Sequence, residues 1–290
     1  MQVGLTLTWV SPGMRILRMM TVAVGIDVGL LDGKGLDLVA LDASRRIRHA
    51  VPHLRDLDEL TRIVETLAPD VVCIDSPSQW AEPGTRRPAE LDLARRGINL
   101  YATPSADRAR PFHRWMQDGF RVYAALAHAY PRYTGGDVRG KAAEYFPHAS
   151  AVALNGRIGE FAEKIPIRRQ LLAEQGVDER VLIAADQVDA ALGALTGLIA
   201  LEGRHSWVGE GTDAMLLPAQ ELHARYLRAP AAPAVRSVGG AARPPLPADE
   251  KRAPCLCGCG GTPAGRRSRF MPGHDHRVNP ATGRRWNGWP

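Results

Sequence analysis

Val22-Ala23-Val24-Gly25-Ile26-Asp27 is an apolar run closed by a carboxylate. Its β-branched content and the glycine-rich stretch that follows read as a strand and its exit turn. A carboxylate at the end of a hydrophobic strand is costly to bury unless positive charge meets it. The pattern recurs at Asp70-Val71-Val72-Cys73-Ile74-Asp75, which reads as a fully buried strand. If these two strands are parallel neighbours, Asp27 and Asp75 lie side by side at the sheet edge where open α/β sheets bind ligands.

Working outward, Gly29 to Gly35 is turn-rich, Leu36 to Leu41 reads as a second strand, and Ile47 to Val51 completes an antiparallel meander. Asp56 caps a helix whose apolar positions Leu57, Leu60, Ile63, Val64 and Leu67 fall at helical spacing, and Pro69 breaks it. Residues 76 to 110 read as loop, punctuated by Pro77, Pro83, Pro88 and Pro104. A helix is expected over Phe112 to Tyr130, a short strand over Ala142 to Phe146, and a helix over Ile165 to Gln175 closed by Gly176. A long, buried helix is expected over Val181 to Leu201, followed by a small hairpin around Trp207 and Ala214 to Leu217.

The chain has 290 residues, 45% hydrophobic and 23% charged, which suits one sizeable globular domain with an appendage. No apolar run approaches the roughly 18 residues a transmembrane helix needs, so no membrane partner is expected. The opening segment lacks the order of a signal peptide, and a start at Met14, Met19 or Met20 with a cytoplasmic location is expected. Net charge is +6, but from Arg225 onward 12 Lys and Arg face 3 Asp and Glu, leaving the rest mildly acidic. A basic tail on a near-neutral body suits a polyanion, or is simply a solvated end. The expected organisation is an extension over 1–20, a mixed α/β domain over 21–228, a Pro/Ala/Gly linker over 229–253 that cannot bury a core, and a basic tail over 254–290.

Two further acidic groups bear on the first two. Glu144 opens Glu144-Tyr145-Phe146-Pro147, and Asp186 and Asp189, three apart, share one face of the long helix. A turn or an ion pair explains any one of them alone. Together they form a candidate seat for hard divalent cations, which take oxygen ligands.

These residues carry a resemblance. Gly25-Ile26-Asp27-Val28-Gly29, Val72-Cys73-Ile74-Asp75-Ser76-Pro77, Glu90 ahead of Gly97 to Pro104, Trp115 to Gly119, Glu144 to Ser150, and Asp186-Gln187-Val188-Asp189-Ala190-Ala191 stand in the order of one family. The chain resembles, over about Val22 to Pro218, the predicted RNase H-like nucleases catalogued as domain of unknown function 429. The resemblance implies a mixed sheet of five strands in the order 3-2-1-4-5 with helices on both faces. It also implies a nuclease activity using Mg²⁺ or Mn²⁺ and a nucleic-acid partner. By position, Asp27, Asp75, Asp186 and Asp189 match the metal ligands, and Glu144 a residue lining the cleft. Glu90 matches an acidic substrate-side position whose usual preceding Cys is here Ala89. Lys164 and Arg168 match a basic pair for phosphate. His148 is read as a proton shuttle or as a hydrogen-bonded structural residue.

The tail holds Cys255-Leu256-Cys257-Gly258-Cys259 and, further on, His274-Asp275-His276. Three thiols and one imidazole are a structural zinc set, expected as Cys255, Cys257, Cys259 and His274, with His276 as an alternative to His274. Arg266, Arg267, Arg269 and Arg277 around it suit nucleic-acid backbone contacts. Two rival readings stand beside the nuclease: a non-catalytic scaffold of the same fold that binds nucleic acid or protein, and an actin-like ATPase, for which a second glycine-rich phosphate loop is missing.

Overall fold

The computed structural model describes residues 21–159 and 164–228. The expected extension, linker and zinc tail, with Cys255, Cys257, Cys259 and His274, lie outside the described residues. A mixed sheet of seven strands organises the domain, in the order β3-β2-β1-β4-β5-β7-β6. The strands are β1 (Val22–Val28), β2 (Leu36–Asp42), β3 (Ile47–Leu54), β4 (Val71–Asp75), β5 (Lys141–Tyr145), β6 (Ser206–Val208) and β7 (Met215–Leu217). β1 pairs antiparallel with β2 and parallel with β4. Parallel pairing continues through β5 to β7, and β6 closes the edge antiparallel to β7. The 3-2-1-4-5 core is the RNase H-like order that the family resemblance implied. The expected terminal hairpin extends that sheet beyond five strands, because β7 finds an unpaired edge on β5.

Alternation along β1 assigns the two faces. Val24, Ile26 and Val28 point into a cluster with Leu60, Val64, Val122 and Tyr123. Those last four belong to α1 (Leu57–Leu67) and α3 (Arg114–Leu126). The Asp56 side chain caps α1, accepting from the N–H groups of Asp58 and Glu59. On the opposite face Ala23, with Val39, Leu41, Val71 and Cys73, packs against Leu195, Leu198 and their neighbours on α6 (Ala185–Leu201). α6 is apolar nearly all round and buried, as such a helix must be.

Two glycines let α6 lie on the sheet. A Cβ on Gly25 would overlap the Ala190 carbonyl oxygen and the Ala194 nitrogen. A Cβ on Gly197 would meet Val71 Cγ1 at 2.7 Å and Ala23 Cβ at 3.1 Å. With Ala190 seated over Gly25, the preceding turn of α6 carries Asp189 and Asp186 toward Asp27, two residues along the same face of β1.

Two local expectations are corrected, and one unassigned stretch proves helical. The stretch read as loop contains α2 (Pro88–Arg95), and α4 (Pro147–Asn155), in a segment given no assignment, follows β5 directly. Both open on proline at the first helical turn, where its missing N–H costs nothing. The long helix begins at Ala185 rather than Val181. Gln187 Oε1 accepts from the Ile183 and Ala184 N–H groups and caps the start. Val181 and Ile183, apolar in sequence, are exposed ahead of it. The remaining helix, α5 (Lys164–Glu174), lies close to its expected place. Among the described residues no helix is long and apolar enough to cross a membrane.

Candidate functional site

Asp27 and Asp75 are register partners on adjacent parallel strands, and Asp37 of β2 is the register partner of Asp27 on its other side. Three carboxylates therefore stand in one row across β2, β1 and β4, all on the α6 face. Among the described residues neither Asp27 nor Asp75 forms an ion pair with Lys, Arg or His. Burial, and then Asp75, Asp186 and Asp189, raise the Asp27 carboxyl well above its ordinary range. Burial and the Asp189 charge raise Asp75 to about 7, opposed by a hydrogen bond with Asp27 and by Arg168 and Lys164. Two like charges this close in a poorly solvated place hold a proton between them until something positive replaces it.

The helical pair above them is engaged. Arg168 Nη1 donates to Asp189 Oδ1, and Lys164 Nζ stands 3.9 Å from Asp189 Oδ2. Burial raises Asp189 while Arg168 opposes that shift. Asp186, more exposed, is bridged by Lys34 from the β1–β2 turn. Among the described residues, no three His, Cys, Asp or Glu side chains already converge as a metal-ligand set. The donor chemistry nevertheless fits a hard cation at the strand ends: two adjacent carboxylates without a basic partner, with a third held one ion pair away.

Arg168, expected to contact phosphate, is instead buried at 1% exposure and spends its guanidinium on Asp189. Lys164 remains exposed. Glu144 does border the cleft, lining with Asp75 a cavity of about 140 Å³. Its carboxylate, however, receives Arg87 Nη1 at 2.9 Å and Nη2 at 2.5 Å, so both oxygens are occupied. Glu90, expected on the substrate side, lines the same cavity, and its Oε1 accepts from the Thr103 N–H at 2.8 Å. Arg87 Nε also donates to Asp213 Oδ1 at 2.9 Å. One buried guanidinium thus organises Glu144, Glu90 and Asp213.

Sequence reading missed two residues. Arg87 stood in a stretch read as loop. Asp37 was passed over inside a strand, although a charge in Leu36-Asp37-Leu38-Val39-Ala40-Leu41 is itself a signal. Asp37 is 1% exposed, and neither carboxylate oxygen has a hydrogen-bond partner. His53 Nδ1 stands 3.9 Å from it. Burial and then Asp186 raise its carboxyl, against Lys34 and His53.

No curated protein matches the chain. Among solved structures it is similar to RuvC of Thermus thermophilus at 14% identity and a TM-score of 0.37, covering 66% of this chain and 99% of that one. It is also similar to T. thermophilus RuvC in complex with a Holliday junction substrate, at 17% identity and a TM-score of 0.37, over 68% and 99% of the two chains. Residues 25–213 match the model described as "Protein of unknown function (DUF429)", and that share of the sequence places the chain in this family.

Proposed function

We propose that the chain is a divalent-cation-dependent nuclease that hydrolyses phosphodiester bonds. The observation that carries this reading is the Asp27–Asp75 register pair, half-buried without a basic partner at the ends of two central strands. In this reading Asp27 and Asp75 hold Mg²⁺ or Mn²⁺, and Asp189 joins them when Arg168 lets go, with Asp186 at the outer side. The bound cation would supply a water of lowered pKa and charge neutralisation at the leaving oxygen. The chain supplies the rest. Gly25 fixes the height of α6, Lys34 and Arg168 hold the helical carboxylates until they are needed, and Lys164 offers an exposed cation to a phosphate. Glu144 and Glu90 act through Arg87 as the wall of the cleft rather than as ligands. The tail, with zinc at Cys255, Cys257, Cys259 and His274, would add backbone affinity for nucleic acid. Thiol ligands of that kind suit a reducing cytoplasm.

The test is incubation with labelled single- and double-stranded DNA and RNA in Mg²⁺, Mn²⁺ or chelator, for the native chain and Asp27→Asn. Cation-dependent products lost in Asp27→Asn are expected. Products that persist in the variant, or no products on any substrate, remove the reading. The ion pairs on Asp189 and Asp186 favour one alternative, a scaffold of the same fold that binds nucleic acid without cutting it.

A further inference from the structure

A second cavity, of about 500 Å³, opens beside the carboxylates and is not used by the chemistry above. That volume suits a ligand of nucleotide size. Its walls are apolar and aromatic, with Phe146 and Ile167 among them, and Tyr101 stands at its mouth. Tyr101 is 80% exposed, and its ring meets the exposed Phe112 ring edge-on at 6.0 Å. Exposed aromatic pairs at a cavity mouth are unusual on a surface that stays in water. The charged side chains in the lining are all cationic, Lys164, Arg157 and the Asp189-paired Arg168, with Asn99 and Asn155 as neutral polar groups. His148 lines it too, its ring edge-on to Phe146 at 5.9 Å. Burial and then the charges of Arg168, Lys164 and Arg228 hold the His148 imidazole down at about 4, so it stays neutral in a positive field. The cavity therefore offers stacking surface inside and positive charge around it.

Its position adds direction. Tyr101, Phe146 and Leu100 also line the smaller cavity that contains Asp75, so the two spaces share a wall. Lys164 and Arg168, which line the large cavity, are the groups that reach Asp189. A ligand with a planar aromatic part and an anionic part fits this arrangement, with the anion toward the carboxylate row.

We infer that this cavity receives one unstacked base of a nucleic-acid strand, held against Tyr101 and Phe146, with its phosphates among Lys164 and Arg157. A base paired within a duplex cannot enter such a pocket without being extruded, so the ligand class is single-stranded or locally opened nucleic acid. The inference deepens the proposed function and rests on it only for the identity of the strand as substrate.

The experiment uses the full chain carrying Asp27→Asn, in chelator, so that cleavage plays no part. Equilibrium binding is measured for a short oligo(dT), for an abasic strand with the same number of phosphates, and for a duplex of the same length. Oligo(dT) is expected to bind at least about tenfold more tightly than the other two. Tyr101→Ala, at a position too exposed to carry the fold, is expected to weaken oligo(dT) binding by about fivefold to a hundredfold, the range for loss of one stacked base. It should leave the abasic strand unchanged. Equal binding of oligo(dT) and the abasic strand, or an unchanged oligo(dT) affinity in Tyr101→Ala, overturns the inference. Cation-dependent cleavage of the native chain with no base dependence of binding would keep the nuclease reading and remove this one. Base-dependent binding without cleavage would do the reverse.

Discussion

Gly25 and Ala190 touch backbone to backbone: a Cβ at position 25 would overlap the Ala190 carbonyl oxygen and come within 3.0 Å of its carbonyl carbon. Neither neighbour is a flexible side-chain end, so neither can rotate away. Gly25→Ala is expected to lift α6 from the sheet and to destabilise the domain by about 3 kcal/mol, the upper part of the range for overpacked cores. Denaturant midpoints check this. It should also weaken cation binding, because Asp189 rises with the helix.

The aspartate pair sets a pH dependence. In the native state Asp75 stands at about 7 and Asp27 is also raised, whereas both release their protons near pH 4 when unfolded. Between those limits the folded state binds more protons than the unfolded one, so stability falls as pH rises. In chelator the slope should approach about 1.4 kcal/mol per pH unit for each retained proton. His148, held at about 4 when folded, contributes a slope of opposite sign over part of this window. Urea midpoints at several pH values are therefore compared between the native chain and Asp75→Asn, and an unchanged pH slope in the variant would refute the assignment. Saturating Mn²⁺ should flatten the dependence, since a cation replaces the proton.

Asp37→Asn should stabilise the protein at neutral pH. It removes a buried charge with no hydrogen-bond partner, opposite Asp27 in register. A gain of about 1 kcal/mol is expected from removing a charge that burial and then Asp186 disfavour. The gain should shrink as pH falls, because the raised Asp37 carboxyl takes up a proton more readily than an ordinary aspartate. Thermal melts of the two proteins at neutral and at acidic pH read the difference directly.

Arg87→Met should be severe. It leaves Glu144 buried without its counter-charge and Asp213 without its donor, a loss of about 3–5 kcal/mol for one partner of a buried pair. The double variant Arg87→Met/Glu144→Leu should recover part of that loss, and a double-mutant cycle in denaturant measures the coupling.

The central strands, α1 and the capped start at Asp56 were legible because their patterns are local: apolar runs, helical spacing, a capping side chain. Asp27 and Asp75 were legible as a pair because each closes a buried strand. One helix was lost because Pro88 looked like loop punctuation where it is a starter, and the helix opening at Pro147 went unassigned. Val181 and Ile183 lengthened α6 on paper because apolar residues are expected inside, and both are in solvent. The partners of Asp189 and Glu144 were not legible. Arg168 precedes Asp189 by 21 residues and Arg87 precedes Glu144 by 57, and only the fold brings them together. Asp37 was visible and overlooked, since a lone charge in an apolar strand is informative only once its neighbours across the sheet are known.

The counter-ions of Arg87 come from places very unequally spaced along the chain, Asp213 lying 126 residues beyond it. A nascent polypeptide that has emerged only as far as β5 already contains Glu144, whereas the partner of Arg87 Nε, Asp213, is still to come. The third side of the cleft wall is therefore in place only once synthesis has passed α6 and β6 and reached Asp213.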